Sequence, residues 1–398
     1  MFPSSAQPVH AVFVKNRVAR VARLCNVRVV CPIPYFPFER WVKKYSHRAA
    51  IPRKESVGGL DVIYPRFLSV PAVLKPLDGV FLFLSVWWAA RRIRKELDID
   101  LIDAHLAYPD GFAAVLLGWL FKKPVTVTLR GHDVNDLPRY PVRRRQVVFA
   151  LKRASRVIAV ADALRRAAVE LGADPERTET ISNGVDAALF YPCDRDEARR
   201  RLGLPPDRRI VVSVGHLCER KGHPLIVDAL QVMRDRGQEI PFLAIVGGPG
   251  EEGDSTREIR ERIACHSLED SVCMAGAQLN DTLRDWYNAA DVSCLASSKE
   301  GWANVLLESL ACGTPVVATN VWGTPEVLSS EEYGVLVERS AESIANGLSK
   351  ALSRSWNRSA IAAHARSQCW EAVAEKVLRS FERVLNGPKV EQLEGAGK

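Results

Sequence analysis

The segment RIVVSVGHLCERKGHPLIVDAL (209–230) decides the fold. Its first seven residues are apolar along most of their length and do not alternate with polar ones. A strand wetted on one face alternates; a strand without alternation is buried on both faces, as in a parallel sheet covered by helices. The run ends at Gly215. A polar turn follows with His216, Arg220, Lys221 and Gly222, and then a helical pattern over HPLIVDAL. Strand, turn and helix make one unit of an α/β sheet.

The unit recurs along the chain. A first series of strands is expected at VRVVCPI (27–33), DVIYPRF (61–67), IDLIDAH (99–105), PVTVTLRG (124–131) and RVIAVA (156–161). A second follows at 209–215, PFLAIVGG (241–248), SVCMAG (271–276), DVSCLA (291–296), TPVVAT (314–319) and GVLVE (334–338). Helical patterns such as 162–171 and 223–236 separate them. At 398 residues the chain exceeds one ordinary core, so two doubly wound domains are expected, 1–187 and 188–369. The polar, proline-containing stretch 190–209 marks the change between them. WEAVAEKVLRSFERVL (370–385) is an amphipathic helix, and 387–398 reads as a disordered tail. The opening MFPSSAQPVHAVFVKNRVARVARL reads as a loop and then a helix, so the first strand of the N-terminal domain is expected to be missing.

Composition narrows the class. The chain is 47% hydrophobic and 26% charged, as in a soluble globular protein. Nine cysteines form no CxxC pair, which argues against a disulfide framework or a zinc site. No signal-peptide core precedes the first domain, so a cytoplasmic location is expected. The longest apolar run, FLFLSVWWAA (81–90), is about half the roughly 18–20 residues a membrane span needs. Arg91, Arg92, Arg94 and Lys95 follow it, so 81–95 fits either a core helix with a basic end or a contact with the inner face of a membrane. A second basic concentration runs from Arg139 to Arg156. The net charge of +8 suits an anionic partner, but no nucleic-acid module is present.

Chemistry is expected where strands end, since open α/β sheets bind ligands at their carboxyl edges. Lys221, at a turn into a helix, can hold a phosphate as a point charge; the plain alternative is a solvated basic turn. GGPGEEG (247–253), with Gly248, permits close backbone approach but lacks dinucleotide spacing. In SSKEGWANVLLESLACGTPVVA (297–318), Glu300 precedes a helix that starts near Ala303–Asn304, and Glu308 lies about one turn inside it. The two carboxylates flank a helix N-terminus that favours an anion, and each can accept hydroxyls. In the first domain, Arg130, His132 and Asp133 follow one strand, and His105 and Asp110 follow another.

Together these pieces resemble the retaining glycosyltransferases of family 4, also called group 1. They are EGWANVLLESLACGTPVVAT, SVGHLCERKG, ISNGVDAALF (181–190), IVGGPGEE, LRGHDVN, DWYNAADVSCLASS and WGTPEVL. The resemblance covers about residues 4–385. It implies the GT-B fold, two Rossmann-like domains facing a cleft, with the helix 370–386 crossing back onto the first. It implies that Glu300 holds donor-sugar hydroxyls, Glu308 the ribose and Lys221 the diphosphate. Gly215, Gly301, Trp302, Ala303 and Asn304 would meet the sugar and phosphates, and Ala277–Leu279 the base. His132 would act beside the reacting sugar; Arg130, Asp133, His105 and Asp110 would serve the acceptor. Relatives often carry Arg where His216 stands, and Arg220 compensates in this expectation.

The expected activity is transfer of a sugar, with retention, from a nucleotide diphosphate sugar, of which a UDP-sugar fits best. The acceptor would be a glycan or lipid-linked saccharide in cell-surface polysaccharide biosynthesis. No metal and no cofactor are expected. Two alternatives stay open: a UDP-sugar 2-epimerase on the same fold, and a truncated non-catalytic nucleotide-binding homologue.

Overall fold

All but two of these apolar runs form one strand each in the computed structural model, which describes residues 1–387 apart from 9, 38, 43–44, 71–74 and 251. The chain divides into two compact units, Met1–Ser182 with the segment from Val373, and Asn183–Ala372. The division falls five residues before the sequence expectation, between Ser182 and Asn183. The tail expected to be disordered lies, from 388 onward, outside the described residues.

The first unit holds β1 (Val29–Val30), β2 (Ile33–Tyr35), β3 (Lys54–Val57), β4 (Leu60–Ile63), β5 (Arg66–Leu68), β6 (Ile102–His105), β7 (Val125–Leu129), β8 (Arg156–Ala159) and β9 (Thr178–Thr180). The last four form a parallel sheet in the order β6-β7-β8-β9. β7 is buried at every position, as its unbroken apolar and threonine content requires.

Two sequence expectations are corrected here. Neither VRVVCPI nor DVIYPRF is one strand. Pro32 and Pro65 have no N–H to donate to a ladder; the first run splits into β1 and β2 and the second into β4 and β5, and the members of each pair belong to different sheets. The sheet around β4 is not wholly parallel either, because β3 pairs with β4 antiparallel. The turn between them is Gly58–Gly59, with φ of 59° and 81°, the geometry that a two-residue hairpin demands of glycine. Among the described residues no strand precedes the helix Val12–Val21.

The helix Trp370–Asn386 buries Val373, Ala374 and Val377. It is tied to β9 of the same unit by Ser380, whose Oγ donates to Glu179 Oε1 at 2.6 Å, and by Arg383, which donates to Oε2 at 2.9 Å. Burial pushes the Glu179 carboxyl up, but Ser380, Arg156 and Arg383 outweigh it and hold it below its ordinary value.

The second unit is one six-stranded parallel sheet of β10 (Ile210–Val214), β11 (Phe242–Val246), β12 (Val272–Gly276), β13 (Val292–Leu295), β14 (Val316–Thr319) and β15 (Gly334–Val337), ordered β12-β11-β10-β13-β14-β15. The helix His223–Asp235 buries Ile226, Val227, Leu230 and Met233 at helical spacing. They pack against Val211, Leu243 and Val292 of the sheet and Ile344 and Leu348 of the helix Ala341–Ser353. The chain winds outward from β10 in one direction and returns to wind outward from β13 in the other. The loops at the carboxyl ends of β10 and β13 therefore part company, and the crevice at this switch point is where such sheets take ligands.

Candidate functional site

The loop after β10 closes with the short helical turn Glu219–Lys221, and Gly222 enters the next helix. Lys221 is buried, a location a lysine tolerates only with a partner. Its partner is Glu300, buried in the loop after β13: Nζ donates to Oε1 at 2.6 Å. Arg220 and Ser297 Oγ donate to the same oxygen at 3.1 and 2.7 Å. Burial pushes the Glu300 carboxyl up, but the charges of Lys221 and Arg220 outweigh burial and hold it below the ordinary glutamate value. Glu300 is thus an ionised carboxylate in a buried two-cation clamp.

Arg220 is engaged on its other side as well. Its Nε donates to Glu252 Oε2 at 2.5 Å and its Nη2 to Oε1 at 3.1 Å, a bidentate pair. Burial lowers the guanidinium, yet Glu252 and Glu300 together raise it above its ordinary value. Glu252 lies on the glycine loop after β11. The start of that loop is pressed onto the β10 loop: a Cβ on Gly247, whose φ is 156°, would stand 1.8 Å from the Gly215 carbonyl oxygen. Gly248 is close enough that a Cβ on it would meet Ala277, after β12, at 3.2 Å. The carboxyl ends of three neighbouring strands are therefore in backbone contact. His216 is exposed and packs beside Gly250. Leu279 is exposed.

The helix Asn304–Ala311 follows Glu300. Among the described residues no side chain caps it, so its first-turn N–H groups and dipole are left to an anion. The buried Trp302 indole N–H finds no acceptor among the described residues. Asn304 is fixed by Asn183, whose Nδ2 donates to its Oδ1 at 3.1 Å. Glu308 lies one turn in and takes a hydrogen bond from the buried Tyr287 hydroxyl at 3.1 Å. Burial pushes Glu308 up to about 7, with Tyr287 and Lys221 pulling the other way. The two glutamates therefore differ: the clamp holds one below its ordinary value, and burial raises the other to about 7.

Glu300, Glu308, Lys221, Arg220, Gly215, Trp302, Ala303 and Asn304 all lie at this switch point. Sequence reading missed Ser297, Glu252, Tyr287 and Asn183. All four stood within quoted motifs, Asn183 in ISNGVDAALF, Glu252 in GGPGEEG, Tyr287 in DWYNAADVSCLASS and Ser297 at the end of that run, and could have been found there.

The first unit presents a separate polar cluster at the ends of β6 and β7. Arg130 Nη2 donates to His105 Nδ1 at 2.6 Å, and His105 Nε2 faces Asp103 Oδ2 at 3.3 Å. Burial and then the Arg130 charge push His105 down to about 4. The imidazole is therefore neutral, with its proton on Nε2 toward Asp103. Arg130 is itself pushed down to about 9 by burial, with Arg17 adding to the shift. Arg17 is buried in the helix Val12–Val21, and neither terminal nitrogen finds a hydrogen-bond partner among the described residues; sequence reading did not single it out. His132 is exposed beside Asp136, and burial raises the Asp110 carboxyl.

Asp133 is corrected. It is fully buried, and its oxygens accept the backbone N–H groups of Ala107, Arg130 and Gly131 at 2.9, 3.1 and 2.8 Å. Its carboxylate holds two loops together instead of facing an acceptor. Asp133→Ala leaves three buried N–H groups unpaired, at about 1–3 kcal/mol each. Urea unfolding is expected to show a loss of about 3 kcal/mol or more, and a loss under about 0.5 kcal/mol would remove this role.

Two family descriptions match the chain: "Glycosyl transferases group 1" over residues 194–368 and "Glycosyltransferase Family 4" over residues 11–189. The chain belongs to the group 1, family 4 glycosyltransferases. This glycosyltransferase is 30% identical over 363 residues to TuaC of Bacillus subtilis strain 168, a candidate teichuronic acid biosynthesis glycosyltransferase, covering 88% of the chain and 87% of that relative. It is 30% identical over 312 residues to a D-inositol 3-phosphate glycosyltransferase of Kribbella flavida, covering 73% of each. Its fold is GT-B. Sucrose-phosphate synthase from Thermosynechococcus elongatus superposes with a TM-score of 0.74 at 20% identity, over 94% of this chain and 93% of that one. Anabaena Alr3699/HepE in complex with UDP gives 0.71 at 20%, over 96% and 98%.

Proposed function

We propose that the enzyme transfers a sugar, with retention of anomeric configuration, from a UDP-sugar to a glycan or lipid-linked saccharide in cell-surface polysaccharide biosynthesis. The observation that carries this is the pairing of Lys221 with Glu300 at the switch point, beside an uncapped helix start with Glu308 one turn inside. Lys221 and the helix N–H groups neutralise the leaving diphosphate, a role that in this proposal needs no metal. Glu300 meets the donor sugar, and Glu308 accepts the ribose hydroxyls. The amides of Gly301, Trp302, Ala303 and Asn304 meet sugar and phosphate, and the backbone at Ala277–Leu279 meets the base. Arg130, His105 and Asp110 face the acceptor, and His132 acts beside the reacting sugar. The name of the B. subtilis relative supports a polysaccharide product. The HepE structures with UDP and with UDP-glucose support the donor class. A lipid-linked acceptor puts the work at the inner face of a membrane.

Two measurements test the proposal. UDP-sugars are expected to raise the melting temperature more than GDP- or ADP-sugars, because a ligand that binds only the native state stabilises it. NMR of the product linkage is expected to show the configuration of the donor; inversion would refute the retaining class.

A further inference from the structure

The helix Asp78–Glu96 turns two different faces outward. Leu82, Ala90 and Ile93 are buried, and this side meets the helix Phe112–Phe121 through Ala90, Leu117 and Phe121. The solvent face should then be polar. Instead Val80, Leu84 and Trp88, each four residues after the last, are exposed there, with Leu77 just ahead of them. Trp88 is 61% exposed. At the end of the partner helix Trp119 is 83% exposed and Leu120 53%. A monomer's water-facing helices seldom carry such a set.

The same helix ends are cationic. Arg91, Arg92, Arg94 and Lys95 are exposed, and Lys122 and Lys123 end the other helix; the acids among them are Glu96 and Asp98, and Lys123 is paired with Asp98 at 3.4 Å. Between the two helices lies a cavity of about 460 Å³ lined by Trp87, Arg91, Arg94, Lys95, Leu120 and Phe121. Its floor is aromatic and its rim cationic. Arg91 stands over the Trp87 ring at 5.1 Å and Arg94 over the Phe121 ring at 5.1 Å. No described helix is long and apolar enough to cross a membrane.

We propose that this face is a docking surface for an anionic phospholipid bilayer, with the cavity taking a lipid phosphate. Trp88, Trp119, Leu84 and Leu120 enter the interfacial layer, where amphipathic aromatic rings are favoured. The cations neutralise headgroups, each contributing attraction that salt weakens. Charge decides the occupant: an apolar stripe alone fits another protein, but an apolar stripe running into six cations fits acyl chains beneath phosphates. The inference rests on the membrane part of the function proposed above and not on its donor.

The test is flotation of the full chain with phosphatidylglycerol–phosphatidylcholine vesicles, without donor or acceptor, so its outcome is separate from that of the transferase assays. Binding is expected to the anionic vesicles and not to pure phosphatidylcholine, to fall with salt, and to shift tryptophan emission to the blue. Arg91→Glu/Arg94→Glu is expected to weaken binding about 30-fold or more. Trp88→Ser/Trp119→Ser should bind weakly and lose the blue shift. All four side chains project from the surface, and unchanged melting temperatures serve as the folding control. No flotation, equal binding to neutral vesicles, or variants that float like the parent would overturn the proposal. So would a concentration-dependent dimer abolished by Trp88→Ser, which would make a second copy the occupant.

Discussion

Lys221→Ala is expected to lower kcat/KM by about 10²–10³-fold, the usual cost of removing one charged group from a transition-state oxyanion. Lys221 is the cation that Glu300 holds at 2.6 Å, so its position is fixed before substrate arrives. The loss should fall mainly on kcat, because charge on the leaving diphosphate grows in the transition state. A second effect has a defined sign. The lowered Glu300 carboxyl in the parent contributes stability present above the ordinary glutamate value and lost as pH falls through the native one. Without Lys221 burial remains and one of two cations is gone, so the Glu300 titration moves up. Acid unfolding of the variant should therefore begin at higher pH. Parental turnover in a folded Lys221→Ala enzyme would remove Lys221 from the reaction.

Glu308→Gln carries the second large effect, and pH reports it. Burial pushes Glu308 from 4.5 to about 7. Between those values the native state binds more protons than the unfolded chain, so stability falls as pH rises. At about 1.4 kcal/mol per unit the fall is about 3 kcal/mol across the window, and Gln in place of Glu should abolish it. Ligand binding runs the other way. A ribose donates its hydroxyls to the ionised form, and at pH 6 a group titrating near 7 is only about one-tenth ionised. UDP should therefore bind about tenfold more weakly at pH 6 than at pH 8, releasing a proton as it binds. Calorimetry of Glu308→Gln should show weaker binding, flat with pH. A parent enzyme whose UDP affinity ignores this interval would separate Glu308 from the ribose.

What the sequence disclosed follows from how local each feature is. The six strands of the second unit were legible because each is a short unbroken apolar run with a turn at its end. β3 and β9 were not, since Lys54–Val57 and Thr178–Thr180 are polar edge strands whose pairing is set by neighbours distant in sequence. The hairpin at Gly58–Gly59 did leave a local mark. Glu300 and Lys221 were legible as polar residues at strand ends, but their 2.6 Å pairing spans 79 positions and no periodicity reports it. Asp133 misled for a related reason. A carboxylate after a strand looks the same in sequence whether it faces a ligand or ties down backbone N–H groups.

The bidentate Arg220–Glu252 pair has a consequence for what the site refuses. A bare cluster of cations at a helix start would trap inorganic phosphate or sulfate, which are abundant and anionic like the diphosphate proposed for this site. With Glu252 on Arg220 and Glu300 on Lys221, both cations are already neutralised, and a small anion gains little by displacing either carboxylate. A nucleotide brings further attachments in its ribose and base. Under the proposed function, selectivity for the whole donor over its phosphate fragment would come from carboxylates that compete with it.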